Sequence, residues 1–432
     1  MRKQYRVYSG LVLLLLARSV VWAQNYPKLS TKEVEKRAKY YQQLTAPVES
    51  RQTYEVSPAL PFTALSFRAP LGSDWSDTYV IVEQDTFRVQ AEEHETEGLP
   101  YRQSTLMVWD RPMRTFLLHT GSVQDSITLS LFNAQAGKTV PPALRQERSA
   151  DDEPLCEKPT YIPQDEWRAG LPPPDYRRST TRVEHVIIHH SATYNTLTDY
   201  ENVVRNIYLF HTQDRGWSDI GYNFLVAPDG TLFEGRSAGG QNVVPDNIQG
   251  AHFCGRNSGT MGVCLLGDYN TAEPSDTALA TIIKVTSWKL DKEQLNPLGI
   301  TPHPANSELG VIAGHRDGCA TECPGENLYA RLEEVRIETE ESIAQGCQDT
   351  PQAFNAYPVP VSVDDILTIT LPQPDTAATL TLLDLQGKEL MLPVMQETGN
   401  RLSMDTRTLP TGVYIMEVRT GLAVFTRKIL VE

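Results

Sequence analysis

Three separated segments carry side chains able to hold a metal ion. His189 and His190 stand side by side in VIIHHSA, His315 lies in VIAGHRD, and Cys323 follows in TECPG. Imidazole and thiolate donors suit Zn2+, and a catalytic zinc takes three protein ligands while keeping one position for water. Two neutral imidazoles and one thiolate leave a net charge of about +1 at such a site, enough to acidify a water there. A His-His pair alone is usually structural, and a lone Cys in an exported chain is more often a disulfide partner. Their joint occurrence is what points to metal chemistry.

The elements that must position these residues alternate in type. VEHVIIHH reads as a buried strand, LTDYENVVRNIYLFHTQ has helical spacing, and YNFLVAPDGTLFEG reads as a hairpin turning at Pro228-Asp229-Gly230. MGVCLLGDY and GVIAGHRD read as further strands, TALATIIKVTSWKLDKEQL as an amphipathic helix, and NLYARLEEVRIETEESIAQ as a closing helix. The alternation predicts an α/β domain over 161–347, a mixed sheet flanked by helices.

The flanks differ. From 59 to 134, short alternating runs such as TALSFRA, TYVIVEQ and SITLSLFNA predict a β-sandwich-like domain of unknown role. Trp75, Trp109 and Tyr79 are expected in its core, a carbohydrate platform being the alternative reading. The segment 24–58 reads as helical or extended, with a charged helix over Thr31–Leu44. The stretches 135–160, with ERSADDEP, and 348–353 read as linkers. β-type runs with turn glycines over 354–432 predict a small all-β sandwich.

With 432 residues the chain is long enough for several domains. A net charge of −15 argues against sequence-independent nucleic-acid binding, so no nucleic-acid partner is expected. Arg2, Lys3 and Arg6, the apolar run LVLLLLA and the small residues of Val21-Trp22-Ala23 predict a signal peptide over 1–23. That apolar run is too short to span a bilayer, and no transmembrane segment is expected after cleavage. Export places the six cysteines in an oxidising compartment. Cys254 and Cys264 could close a hairpin, and Cys319 could join Cys347 or Cys156.

VIIHHSA, RGWSDIGYNFLVAPDGTLFEGR, GAHFCGRNSGTMGVCLLGDY and GHRDGCATECPG, in that order, closely resemble the family of peptidoglycan-recognition proteins and type 2 N-acetylmuramoyl-L-alanine amidases. The resemblance covers about 170–347. It implies Zn2+ held by His189, His315 and Cys323, a catalytic Tyr222, and a Thr321 that helps stabilise the transition state. His190 is then no ligand, and His211 and His252 are structural or groove-lining. The implied activity is hydrolysis of the amide between N-acetylmuramic acid and L-alanine in bacterial peptidoglycan. A non-catalytic peptidoglycan-binding surface protein is the alternative, though such relatives typically lose the ligand cysteine.

YPVPV, LTLLDLQGKEL, LPTGVYIMEV and RKILVE resemble the type A C-terminal sorting domain of type IX secretion, with Val359 where the usual opening has Asn. This implies the type IX machinery as a partner, and a secreted or cell-surface location.

Overall fold

The computed structural model describes residues 26–29, 32–92, 100–123, 125–136, 156–175, 178–238, 245–347, 355–357 and 366–370, and then most of 378–431. The expected signal peptide and both linker cores lie outside the described residues. The chain divides into two compact units. One holds the described residues up to 136 together with 159–282 and 298–330; the other holds 156–158, 283–297 and the described residues from 331 on.

In the first unit, strands Lys32–Ala38, Tyr41–Val48, Asp125–Phe132, Phe62–Pro70 and Tyr101–Gln103 lie side by side, and Met107–Met113 also pairs with Phe62–Pro70. A second sheet runs Thr53–Val56, Phe116–His119, Tyr79–Val82, Asp85–Arg88. All these pairings are antiparallel. Side chains from both sheets share one apolar cluster that includes Leu65, Phe67, Val80, Phe116, Leu118 and Leu129. Trp75 and Trp109 are buried in that cluster, and Tyr79 stacks on His119 at 4.6 Å.

The helix expected over Thr31–Leu44 is absent; the segment forms two strands instead. The residues of KEVEKRA have fair helix propensity, but that is a weak prior. Tyr41–Val48 alternates, burying Leu44, Ala46 and Val48, and it pairs along its whole length with Asp125–Phe132. The sheet region therefore begins at Lys32, ahead of the expected boundary at 59.

The strand Asp125–Phe132 shows how one sheet serves two neighbours. Ile127, Leu129 and Leu131 point into the cluster between the sheets. On the opposite face, Ser130 donates to the buried carboxylate of Asp214 in the α/β region. Tyr41, Ala64, Val108 and Phe132 likewise join a second cluster with Val203, Ile207 and Phe210.

The α/β region has a five-stranded mixed sheet in the order Leu232–Glu234, Phe224–Val226, Thr260–Leu265, His185–His190, Ile312–Gly314. Only the Leu232–Glu234 edge runs antiparallel to its neighbour. Every residue of His185–His190 and of Thr260–Leu265 is buried, as parallel strands covered on both faces must be. Helix Tyr200–Leu209 starts at Asp199, whose side chain accepts from Asn202 N, and ends in a π-helical turn, Phe210–Asp214.

The second unit contains helix Leu332–Ala344 and two antiparallel four-stranded sheets, an all-β C-terminal region. One sheet runs Asn355–Tyr357, Ile366–Thr370, Arg401–Asp405, Val394–Thr398; the other runs Glu389–Leu390, Thr379–Leu383, Gly412–Arg419, Val424–Val431. Leu367, Leu382, Leu402, Met404, Met416 and Val418 fill their common core. Among the described residues, no helix is long and apolar enough to cross a membrane.

Candidate metal centre

His189 and His315 arrive on neighbouring parallel strands. Val186 and Ile188 of one pair with Ile312 and Gly314 of the other, so both histidines sit at the same, C-terminal, end of the sheet. From His315 the chain makes a short 3-10 turn and loops back to Cys323; Arg316 N donates to Cys323 O at 2.9 Å and closes the loop. The donor atoms of His189, His315 and Cys323 all lie within 4.8 Å of one another, and all three residues are buried.

Cys323 Sγ lies 3.6 Å from His189 Nδ1. Tetrahedral zinc with Zn–S near 2.3 Å and Zn–N near 2.0 Å sets sulfur and nitrogen about 3.5 Å apart. The donor types and their spacing therefore fit Zn2+. Cys254, His315 and Cys319 also cluster, but Cys254 and Cys319 are bonded to each other.

A hydrogen-bond chain leaves His189 Nδ1 as a donor atom. His189 Nε2 lies 3.0 Å from His252 Nδ1, and His252 Nε2 lies 3.3 Å from Thr260 Oγ1, which donates to Asn257 O at 2.9 Å. Burial, with Arg236 adding to it, lowers the pKa of His252 to about 3, so its ring is neutral. The consistent protonation has His252 donating from Nε2 and accepting at Nδ1, so His189 carries its proton on Nε2. His252 fits only because glycines face it: a Cβ on Gly262 would stand 2.6 Å from His252 Cγ, and one on Gly250 2.5 Å from Cδ2. The sequence alone gave His252 a structural or groove-lining role. A contact across 63 positions and a pair of permissive glycines become visible only once folded.

His190 projects to the other side of the strand. Its Nδ1 accepts from Tyr269 N at 3.2 Å, while its own backbone N–H donates to Cys323 Sγ at 3.4 Å. The ring of Tyr222 lies 5.2 Å from that of His189. Burial pushes its phenol pKa well up, with Cys264 and Cys323 adding to the effect. Thr321 belongs to the loop before Cys323, and its Oγ1 accepts from Cys323 N at 3.1 Å. His211 stacks on Trp217 at 4.6 Å and accepts from Gly221 N at 3.2 Å. A cleft opens beside the cluster, lined by Tyr222, His252, His211, Trp217 and Ser191 among others.

The disulfides differ from the sequence expectation. Cys254 pairs with Cys319, and Cys156 with Cys347. Cys264 and Cys323 are in no disulfide. Cys264 cannot reach Cys254 because it lies inside a central strand, opposite His189 in register, with its side chain in the apolar cluster.

Fold and site together define an α/β domain with a buried His-His-Cys centre beside a cleft. The family profile described as N-acetylmuramoyl-L-alanine amidase matches residues 179–326, and the one described as a secretion system C-terminal sorting domain matches 355–432. A peptidoglycan recognition protein of Trichoplusia ni is 32% identical over 173 residues, 40% of this chain and 84% of that protein. Peptidoglycan-recognition protein SC1a/b of Drosophila simulans is 33% identical over 154 residues, 35% of this chain and 72% of that protein. The human N-acetylmuramoyl-L-alanine amidase is 33% identical over 129 residues, 30% of this chain but 19% of its own length. The chain belongs to the family of peptidoglycan-recognition proteins and N-acetylmuramoyl-L-alanine amidases, and it carries a C-terminal sorting domain that indicates export by type IX secretion.

Proposed function

We propose that this protein is a zinc-dependent amidase that hydrolyses the bond between N-acetylmuramic acid and L-alanine in peptidoglycan. The observation that carries the reading is the cluster itself: two imidazoles and a thiol within 4.8 Å, with Cys323 in no disulfide. His189, His315 and Cys323 would hold the ion. In such a site zinc supplies Lewis acidity toward a carbonyl and toward water. Tyr222, kept protonated by its burial, donates a hydrogen bond to the oxyanion that develops on the scissile carbonyl. Thr321 braces the loop through Cys323 N and offers a second polar contact to the reacting group. His252 fixes the protonation and orientation of His189. The chain would leave the cytoplasm by its N-terminal signal, lose residues 1–23, and cross the outer membrane by means of 354–432.

Several relatives are named for recognition alone, and that favours peptidoglycan binding without cleavage as a second reading. Digestion of purified peptidoglycan, with and without chelator, separates the two. Release of free stem peptides beginning with L-alanine, abolished by chelator, is the expected result. Binding with no new termini would leave the recognition reading standing.

A further inference from the structure

The Cys254–Cys319 disulfide lies against a candidate metal ligand. Cys254 Sγ is 3.8 Å from His315 Nε2, and the donor atoms of Cys254, His315 and Cys319 all lie within 4.8 Å of one another. His315 thus belongs to two donor groups at once, the other being His189, His315 and Cys323. Cys254 is exposed and Cys319 half-buried, so a small thiolate in solution can reach the bond between them. In the other disulfide, Cys156 is buried.

Other contacts hold the two segments in place without that bond. Phe253 is buried in a cluster with Ile187, Leu309 and Ala313, and Cys319 packs against the same cluster. Asn257 Oδ1 accepts from His252 N at 2.7 Å and Phe253 N at 2.8 Å, which fixes the turn that carries Cys254. Arg256 Nη1 ties that turn to Pro304 O at 2.7 Å. On the facing loop, Asp317 accepts from Gly314 N and from Asn306 Nδ2, each at 2.8 Å, and Thr321 N donates to Cys319 O at 3.0 Å. Cys254 itself is held at φ 49°, a left-handed conformation that residues other than glycine rarely adopt. Both sulfurs therefore stay beside His315 when the bond between them opens. On a tetrahedral zinc, two thiolate sulfurs stand about 3.8 Å apart and sulfur and nitrogen about 3.5 Å apart. Cα atoms 6.2 Å apart leave the two sulfurs room for that spacing.

We propose that, once reduced, Cys254 and Cys319 join His315 in a second zinc site, which draws the ion and this histidine away from His189 and Cys323. A dithiol supplies the two electrons. One of its thiolates attacks a sulfur of the bond, its second sulfur closes it into its own disulfide, and its two protons pass to Cys254 and Cys319. Zinc then replaces those protons, which go to solvent. Two thiolates cancel the charge of Zn2+, whereas two imidazoles and one thiolate leave a net +1, so water on the ion becomes less acidic. An oxidising compartment closes the bond and returns His315 to the hydrolytic set, which confines activity to the exported protein. The effect on hydrolysis rests on the amidase reading; the second site rests on the three side chains alone.

The test uses the full-length protein with one equivalent of zinc and a phosphine reductant, which takes its oxygen from water and adds no thiol that competes for the metal. Alkylation and peptide mapping confirm that Cys254 and Cys319 have become thiols. X-ray absorption at the zinc edge should then pass from one sulfur to two, with one imidazole fewer, and hydrolysis of peptidoglycan should fall by about tenfold or more. Reoxidation should restore both. The double variant Cys254→Ser, Cys319→Ser should keep one sulfur on zinc and hydrolysis within about twofold of the oxidised wild type, with or without phosphine. An unchanged sulfur count in the reduced wild type overturns the proposal. So does a folded double variant that is inactive, or that loses activity to phosphine as the wild type does. Should the double variant fail to fold, Cys319→Ser alone decides, since under phosphine it should stay at one sulfur. A wild-type protein that binds zinc but cleaves nothing ends the amidase reading, and the sulfur count then decides the second site by itself.

Discussion

The candidate metal end of the mixed sheet and the face where the N-terminal region docks are both rich in polar contacts, but they are built from different materials. At the metal end, rare chemistry is concentrated: two imidazoles and a thiol converge from strands that end together. At the docking face, common residues do the joining. Thr63 donates to Asn206 at 3.0 Å, Asn202 to Trp109 O at 3.0 Å, and Asp110 accepts from Thr198 N at 3.1 Å and Asp199 N at 3.2 Å. Around them lie apolar side chains from both regions. The first place should answer to single substitutions by losing chemistry, the second by losing stability.

That contrast can be broken in several ways. The largest effect is expected from Cys323→Ala, which should abolish hydrolysis and zinc retention together; Cys264→Ala, buried on the central strand but outside the donor set, should keep zinc. A metal-free Cys323→Ala protein with full activity, measured by release of stem peptides, would remove the metal assignment. Next, Tyr222→Phe should lower kcat roughly 10²–10³-fold with zinc still bound, the size typical of one lost oxyanion donor. An unchanged kcat would take the phenol out of the mechanism.

At the docking face, Asp214→Ala removes the carboxylate partner of Arg68, whose side chain is only 15% exposed, and leaves the hydroxyl of Ser130 short of an acceptor. Breaking a buried ion pair this way costs about 3–5 kcal/mol, readable in denaturant unfolding. A loss below about 1 kcal/mol would mean that the two regions do not depend on this hub. The smallest effect is expected from Gly262→Ala, whose new methyl must displace the His252 ring. Zinc affinity should fall about 10–100-fold, as for other residues that orient a ligand, while the fold persists. Unchanged affinity by chelator competition would show that His189 needs no such support.

Legibility in the sequence followed the same division. His189, His315 and Cys323 stood out in three separate motifs, and the fold brings their donor atoms within 4.8 Å of one another; the alternation of strand and helix over 161–347 announced a mixed sheet. TYVIVEQ and SITLSLFNA likewise showed period two, and they form strands Tyr79–Val82 and Asp125–Phe132. Thr31–Leu44 misled because the charged residues of Lys32–Ala38, of good helix propensity, also suit a strand beside Tyr41–Val48, which itself pairs with Asp125–Phe132 far along the chain. The disulfides could not be read, since Cys254 and Cys319 meet only when the loops on both sides of His315 close on each other. Helical spacing says nothing of which partners Asn202, Asn206 and Asp214 meet, and only the docked sheet makes them buried partners.

Zinc K-edge X-ray absorption on the purified full-length protein tests the central claim most directly. One sulfur near 2.3 Å, two imidazole nitrogens near 2.0 Å and one light-atom position are predicted. Two sulfurs in the first shell, or no bound zinc in a folded protein, would contradict it.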